Sequence, residues 1–111
     1  MGPKERPVIV CLCGSTRFPE AFAKAYREES LAFKIVLSVG VMVHAGDEPI
    51  KGDDPRKEML DRLHKHKIDL ANEVLVLNVG GYVGTSTRSE IEYAKAHGKP
   101  IRWLEPDKAL A

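Results

Sequence analysis

Glu90 stands three residues after Thr87, just behind Gly80-Gly81-Tyr82-Val83-Gly84-Thr85-Ser86, a loop of glycines and hydroxyls that leads into a helical stretch. A carboxylate there has two possible occupations. With Thr87 as N-cap it would close a capping box, contributing about 1 kcal/mol and no chemistry. If the helix begins earlier, near Thr85, the carboxylate is aimed across the strand ends at a ligand. There it could attack or stabilise an anomeric carbon, because glycosyl transfer passes through an oxocarbenium-like state that a close carboxylate can trap. Glu92 lies about 200° further around the helix and faces elsewhere, so only one of the two can serve. A second candidate turn is Gly14-Ser15-Thr16-Arg17, whose backbone N–H groups, hydroxyls and guanidinium could hold a phosphate where a helix opens. The alternative is an ordinary capped βα turn. It is no Walker loop, since Gly-Lys-Ser/Thr does not follow, and it lacks the spaced glycines of a dinucleotide fingerprint.

Metal ligation has weaker support. His64 and His66 are two apart on a helix and point in nearly opposite directions. Cys11 and Cys13 share one face of a strand-like run, but neighbours at that spacing rarely bridge and no other cysteine could complete a zinc site, so they read as reduced core thiols. Asp53-Asp54 could touch Mg²⁺, although Asp54 before Pro55 is better explained as an N-cap. His97 is expected to interact with a helix C-terminus, and Trp103 to be core or interface. No metal and no cofactor is expected.

The elements that must position these groups alternate along the chain. Val8 to Cys13 is a continuous apolar run ended by Gly14, the pattern of a parallel strand buried on both faces. A helix follows from Pro19 to about Phe33, with Ala21, Phe22, Ala25 and Tyr26 as its apolar stripe. Lys34 to Ser38 reads as the second strand, with a short extension at Val41 to His44, and Ala45 to Asp54 as a loop of functional length. The second helix starts at Asp54-Pro55, carries Met59, Leu60, Leu63, Leu70 and Ala71 at helical spacing, and reaches about Asn72. Val74 to Leu77 is the next strand, Thr87 to His97 the third helix with Gly98 behind it, and Pro100 to Leu104 the last strand. The tail after Glu105 reads as loose. Strands alternating with helices predict right-handed crossovers and a parallel sheet of four to five strands with helices on both faces. Ligands of such sheets bind beyond the carboxyl ends of the strands. The loops there are 14–18, 44–54 and 79–87.

With 111 residues, 43% of them hydrophobic, the chain is expected to form one domain, residues 1–111, burying roughly 65% of its unfolded surface. Seventeen basic residues are interspersed with sixteen acidic ones, which excludes the basic footprint of a nucleic-acid binder or a polybasic membrane segment. The longest apolar runs fall short of the roughly 18 residues a membrane span needs, and the start lacks an apolar signal core. A cytoplasmic location without a membrane partner is expected.

The order Cys13-Gly14-Ser15-Thr16-Arg17, His44-Ala45-Gly46-Asp47, the hydroxyl and glycine loop, Glu90-Ile91-Glu92-Tyr93-Ala94 and Gly98-Lys99-Pro100-Ile101 resembles the nucleoside 2-deoxyribosyltransferase superfamily. The likeness spans nearly the whole chain and is nearest to the 2'-deoxynucleoside 5'-monophosphate N-hydrolase branch. It implies a small Rossmann-like, flavodoxin-type fold and cleavage or transfer of the N-glycosidic bond of a nucleotide or nucleoside. By this resemblance Glu90 is the nucleophile at C1', Gly14, Ser15 and Arg17 contact the nucleotide, Ser86 and Thr87 belong to the substrate site with Ser86 on the phosphate, and His44 lines the pocket. Relatives assemble, so a homodimer is expected, with Met59, Leu63 and the histidines of the second helix as a mixed contact surface. One position departs from the pattern. Where the family carries an acidic residue on the second helix this chain has Lys65; Asp61 and Asp69 lie one turn to either side, and Asp69 is assigned the role. Two rivals remain. Gly80 to Thr85 also resembles the Gly-Gly-x-Gly-Thr loop of cytokinin-activating phosphoribohydrolases, without that family's Pro-Gly-Gly start or paired glutamates, and the Lys65 departure suits a non-catalytic nucleotide-sensing module.

Overall fold

The computed structural model describes residues 5–41 and 53–110. His44 and most of the second loop lie outside the described residues. Within them four strands, β1 (Ile9–Cys13), β2 (Ile35–Leu37), β3 (Glu73–Val76) and β4 (Ile101–Trp103), alternate with three helices, α1 (Pro19–Leu31), α2 (Pro55–Leu70) and α3 (Thr85–Ala96). All strand pairs are parallel in the order β2-β1-β3-β4, with Cys11 beside Leu37 on one side and beside Val74 on the other. The chain forms the doubly covered α/β sheet expected of it.

Alternation along β1 divides the core in two. Val10 and Leu12 point to one face, where they meet Phe22 and Ala25 of α1 together with Leu75 and Leu77. Cys11 and Cys13 point to the other, under Ile68 of α2 and Ile91 and Ala94 of α3. Because both faces are covered, period-two patterning disappears and the strand reads as unbroken apolar sequence. Tyr26, expected in the α1 stripe, is instead exposed.

Three further departures bear on the site. The third helix begins at Thr85, with Gly84 at the N-cap and its carbonyl accepting from the Arg88 N–H at 2.9 Å. Thr87 is therefore inside the helix. The second helix packs through His64 and Ile68, while Met59 (65% exposed), Leu63 (50%) and Leu70 (66%) face outward on the opposite side. Leucine spacing marks a stripe at 3.6-residue period but does not say that the stripe is the buried one. The tail is not loose. A 3₁₀ turn at Pro106–Lys108 follows β4, Leu110 packs against the core, and Asn78, fully buried, joins Glu105 through two hydrogen bonds of 2.9 and 3.0 Å.

Candidate active site at the carboxyl ends of the strands

Order reversal in this sheet falls between β1 and β3: β1 passes through α1 to β2 on one side, and β3 lies on the other. A crevice must open there beyond the strand ends. It holds a cavity of about 390 Å³ bounded by the loop after β1, the loop after β2, one face of α2 and the first two turns of α3. Ligand sites run from roughly 300 to 1,000 Å³, so a small metabolite fits.

Each wall follows from local sequence. Gly14 turns the chain out of β1 where a Cβ would meet Leu77 Cβ at 3.2 Å and Phe22 at 3.4 Å, so a side chain would force Leu77 or Phe22 to give by a few tenths of an ångström, and glycine lets the loop hug the sheet without that shift. Ser15 and Thr16 then line the cavity. Ser15 Oγ also accepts from the Arg17 N–H at 3.3 Å, the local bond of a turn-forming serine. After β3, Gly80 and Gly81 take left-handed backbone with φ of 63° and 86°, which a side chain would strain. That reversal presents Tyr82 to the rim and delivers Gly84, Thr85, Ser86 and Thr87 to the cavity wall at the N-terminus of α3. Unpaired N–H groups and the positive end of the helix dipole there favour an anion.

Glu90 sits at the floor. It is 8% exposed, it lines the cavity, and its Oε1 has no hydrogen-bond partner. Starting the helix at Thr85 places Glu90 on the second turn, out of reach of an N-cap, so the capping-box occupation is removed. Burial is the main reason its carboxyl is pushed up to about 7; the negative character of Cys11 and Asp61 adds to this, while His64 and the Cys13 thiol pull the other way without any donor lining up on Oε1. The His64 Nε2 is 3.7 Å away. His64 is itself held above its usual range: burial opposes protonation, but the Cys11 contact and the Glu90 charge outweigh it. Beneath it, the Cys13 thiol is driven up by its hydrogen bond with Cys11, by burial and by Glu90.

The residues expected at the site divide into three sets. Gly14, Ser15, Ser86, Thr87 and Glu90 are brought together around the cavity. Arg17 and Asp69 are not. The Arg17 guanidinium lies 4.2 Å from the centre of the Tyr82 ring, a cation–π contact at the rim, and its side chain is exposed. Asp69 is exposed on the far part of α2, accepting from the Tyr93 hydroxyl at 2.7 Å. Eight residues past Asp61, it is turned about 80° away from the cavity face. Asp61 is the acidic residue of α2 that lines the cavity. His44, the third set, falls outside the described residues.

Sequence reasoning missed Lys57 and Lys67, passed over Asp61 in favour of Asp69, and expected His64 on an outer contact surface, whereas it is buried; all four are on the cavity wall. Lys57 Nζ reaches Asp61 at 3.2 Å and Ser86 Oγ at 3.2 Å, and so brings a cation to the N-terminus of α3. Their spacing of three to four residues is a polar stripe along α2, a signal that the leucines beside it obscured. No protein-family model gives a significant match to this chain, and neither does any curated protein or solved structure.

Proposed function

We propose that this chain hydrolyses or transfers the N-glycosidic bond of a nucleoside 5'-monophosphate or nucleoside, deoxy sugars included, with Glu90 as the nucleophile. The observation that carries the reading is the unpartnered Glu90 Oε1 at the floor of a cavity whose wall is a helix N-terminus. A structural glutamate would have found a donor, because an unsatisfied buried acceptor costs about 1–3 kcal/mol. In the proposed step a carboxylate oxygen bonds to C1' as the C1'–N bond breaks, its electron pair leaving with the base, which takes up a proton. Water then attacks C1' of the glycosyl ester, loses a proton and frees the carboxylate; a second base in place of water gives transfer. Asp61 is the carboxyl placed to handle these protons, in the role first assigned to Asp69. The Thr85 to Thr87 turn with Lys57 is the phosphate subsite. The step needs no cofactor.

A two-fold dimer through α2 belongs to the same reading. Met59, Leu63, His66 and Leu70 fall within about 60° of one another around the helix, opposite buried Ile68, and Leu63 also borders the cavity. A second copy on this stripe would wall the open side and exclude water from the reacting carbon. No helix among the described residues is long and apolar enough to cross a membrane.

Incubating the chain with a panel of nucleosides and nucleoside monophosphates, in the presence of a chelator, tests the activity through free base resolved by chromatography. Base release that disappears in Glu90→Gln is expected. Saturable nucleotide binding without release of base would overturn the enzyme reading in favour of a sensing module, and release of base together with ribose 5-phosphate from ribonucleotides only, deoxyribonucleotides and nucleosides staying intact, would favour phosphoribohydrolysis. Light scattering at micromolar concentration should give twice 12.3 kDa, and monomer mass would remove the dimer.

A further inference from the structure

Four potential ligands from three elements converge behind the cavity floor. The Cys11 and Cys13 Sγ atoms lie 3.6 and 3.4 Å from His64 Nε2, and the three donor atoms are all within 4.8 Å of one another. Glu90 Oε1 is 3.7 Å from the same nitrogen. We propose that Cys11, Cys13, His64 and Glu90 form a binding site for one thiophilic divalent cation of the zinc class, ligated by Sγ, Sγ, Nε2 and Oε1.

Geometry separates this arrangement from a catalytic relay. A thiol, an imidazole and a carboxylate acting in series use opposite ring nitrogens, one for the nucleophile and one for the orienting acid. Here both sulfurs and the carboxylate oxygen face Nε2. Tetrahedral ligation with metal–sulfur and metal–nitrogen bonds of about 2.3 and 2.0 Å requires sulfur–nitrogen separations of about 3.5 Å and nitrogen–oxygen separations of about 3.3 Å. The observed separations match the first and exceed the second by an amount that rotating one glutamate side chain closes. Soft sulfur donors with one imidazole select zinc-like ions over magnesium or calcium.

Glu90 supplies the independent observation. More than nine-tenths buried and aimed at this cluster, its Oε1 has no hydrogen-bond partner. A cation would satisfy it. Entry is through the cavity, which His64 and Glu90 both line. Two thiol protons leave to solvent when the sulfurs ligate, together with any proton on His64 Nε2 or Glu90. The pairing of Cys11 and Cys13 across 51 or more residues with His64 is what the cysteine spacing alone could not reveal.

Binding stands apart from the proposed glycosyl chemistry, but the two compete for one carboxylate. A Glu90 carboxylate that shares its charge with a cation is a poorer nucleophile at either oxygen, so a loaded chain would be the less active form.

The test is cobalt titration of the full chain after chelator and reductant treatment. One equivalent of Co²⁺ should produce sulfur-to-cobalt charge-transfer absorption in the near ultraviolet with tetrahedral ligand-field bands, and Zn²⁺ should abolish both. Cys11→Ser and Cys13→Ser should each weaken cobalt binding at least about a hundredfold, Glu90→Gln about tenfold, and His66→Ala not at all. If the serine variants do not fold, X-ray absorption of the zinc-loaded wild-type chain must give two sulfur and two nitrogen or oxygen neighbours. Absence of sulfur in that shell, absence of the charge-transfer band, or unchanged cobalt affinity in folded Cys13→Ser would overturn the site.

Discussion

Beneath the amino ends of the strands Glu73 accepts from Lys34 and Arg102, each at 2.9 Å, and Glu29 shares both cations. At the carboxyl ends Glu90 Oε1 accepts from nothing. These are the same residue type on opposite ends of one sheet. Burial pushes up on Glu73 too, but Lys34 and Arg102 outweigh it and its carboxyl is held below the usual range, whereas burial wins at Glu90. The first arrangement ties α1, β2, β3 and β4 together; the second leaves a buried carboxylate oxygen without a donor at the expense of stability, as the proposed nucleophile requires. Partner supply, not residue type, separates a structural acid from a chemical one.

The sharpest way to break this contrast is Glu90→Gln in the chelated protein. Base release should fall by at least about a thousandfold, the scale of losing a covalent nucleophile. Melting temperature should stay level or rise, because a buried carboxylate without a donor is replaced by a neutral group of the same shape. A variant that lost activity only by unfolding would place Glu90 with Glu73 among the structural acids.

Local features were legible in sequence, Gly14, Ser15, Ser86, Thr87 and Glu90 of the cavity among them, whereas meetings between distant segments, such as Glu29 and Glu73 around Lys34 and Arg102, were not. Val8 to Cys13 and Val74 to Leu77 identify themselves because a strand covered on both faces is apolar at every position, a local property. Pro55 after Asp54 fixes the start of α2 in the same local way: the Asp54 carboxylate accepts from the Arg56 N–H at 2.8 Å. His64 is different. What buries it is two sulfurs on β1 and a carboxylate on α3, and no window of sequence contains that meeting. The side of α2 that faces the sheet was hidden for a similar reason. Its outward Met59, Leu63 and Leu70 are as apolar as its cavity-lining Leu60 and buried Ile68.

A second contrast lies within the cavity mouth, between Lys57 and Arg17. Lys57 contacts Ser86 at the N-terminus of α3, while Arg17 is stacked outside on Tyr82. Lys57→Ala should weaken binding of a nucleoside monophosphate by roughly ten- to a hundredfold and leave the nucleoside unchanged, the range of a charge-assisted phosphate contact. Arg17→Ala should cost only a few-fold for either ligand. Calorimetry on the two ligands with both variants measures this, and a larger effect at Arg17 would return the phosphate to the loop after β1.

The smallest effect is expected at the other end of the sheet. Glu73→Gln should lower stability by about 1 kcal/mol in urea unfolding without changing base release, since Arg102 is partly exposed and solvent screens the pair. Its dependence on pH has a definite sign. The Glu73 carboxyl is lower in the folded chain than its ordinary 4.5, so the folded state binds its proton less readily than the unfolded state. Stability from this group is therefore fully present above about 4.5 and is lost as pH falls through the lower, folded value. The difference between wild type and Glu73→Gln should persist unchanged from pH 8 to about pH 5 and narrow on further acidification. A gap that instead widened as pH dropped would mean that Glu73 is a buried acid without effective partners, like Glu90, and the contrast between the two ends of the sheet would fail.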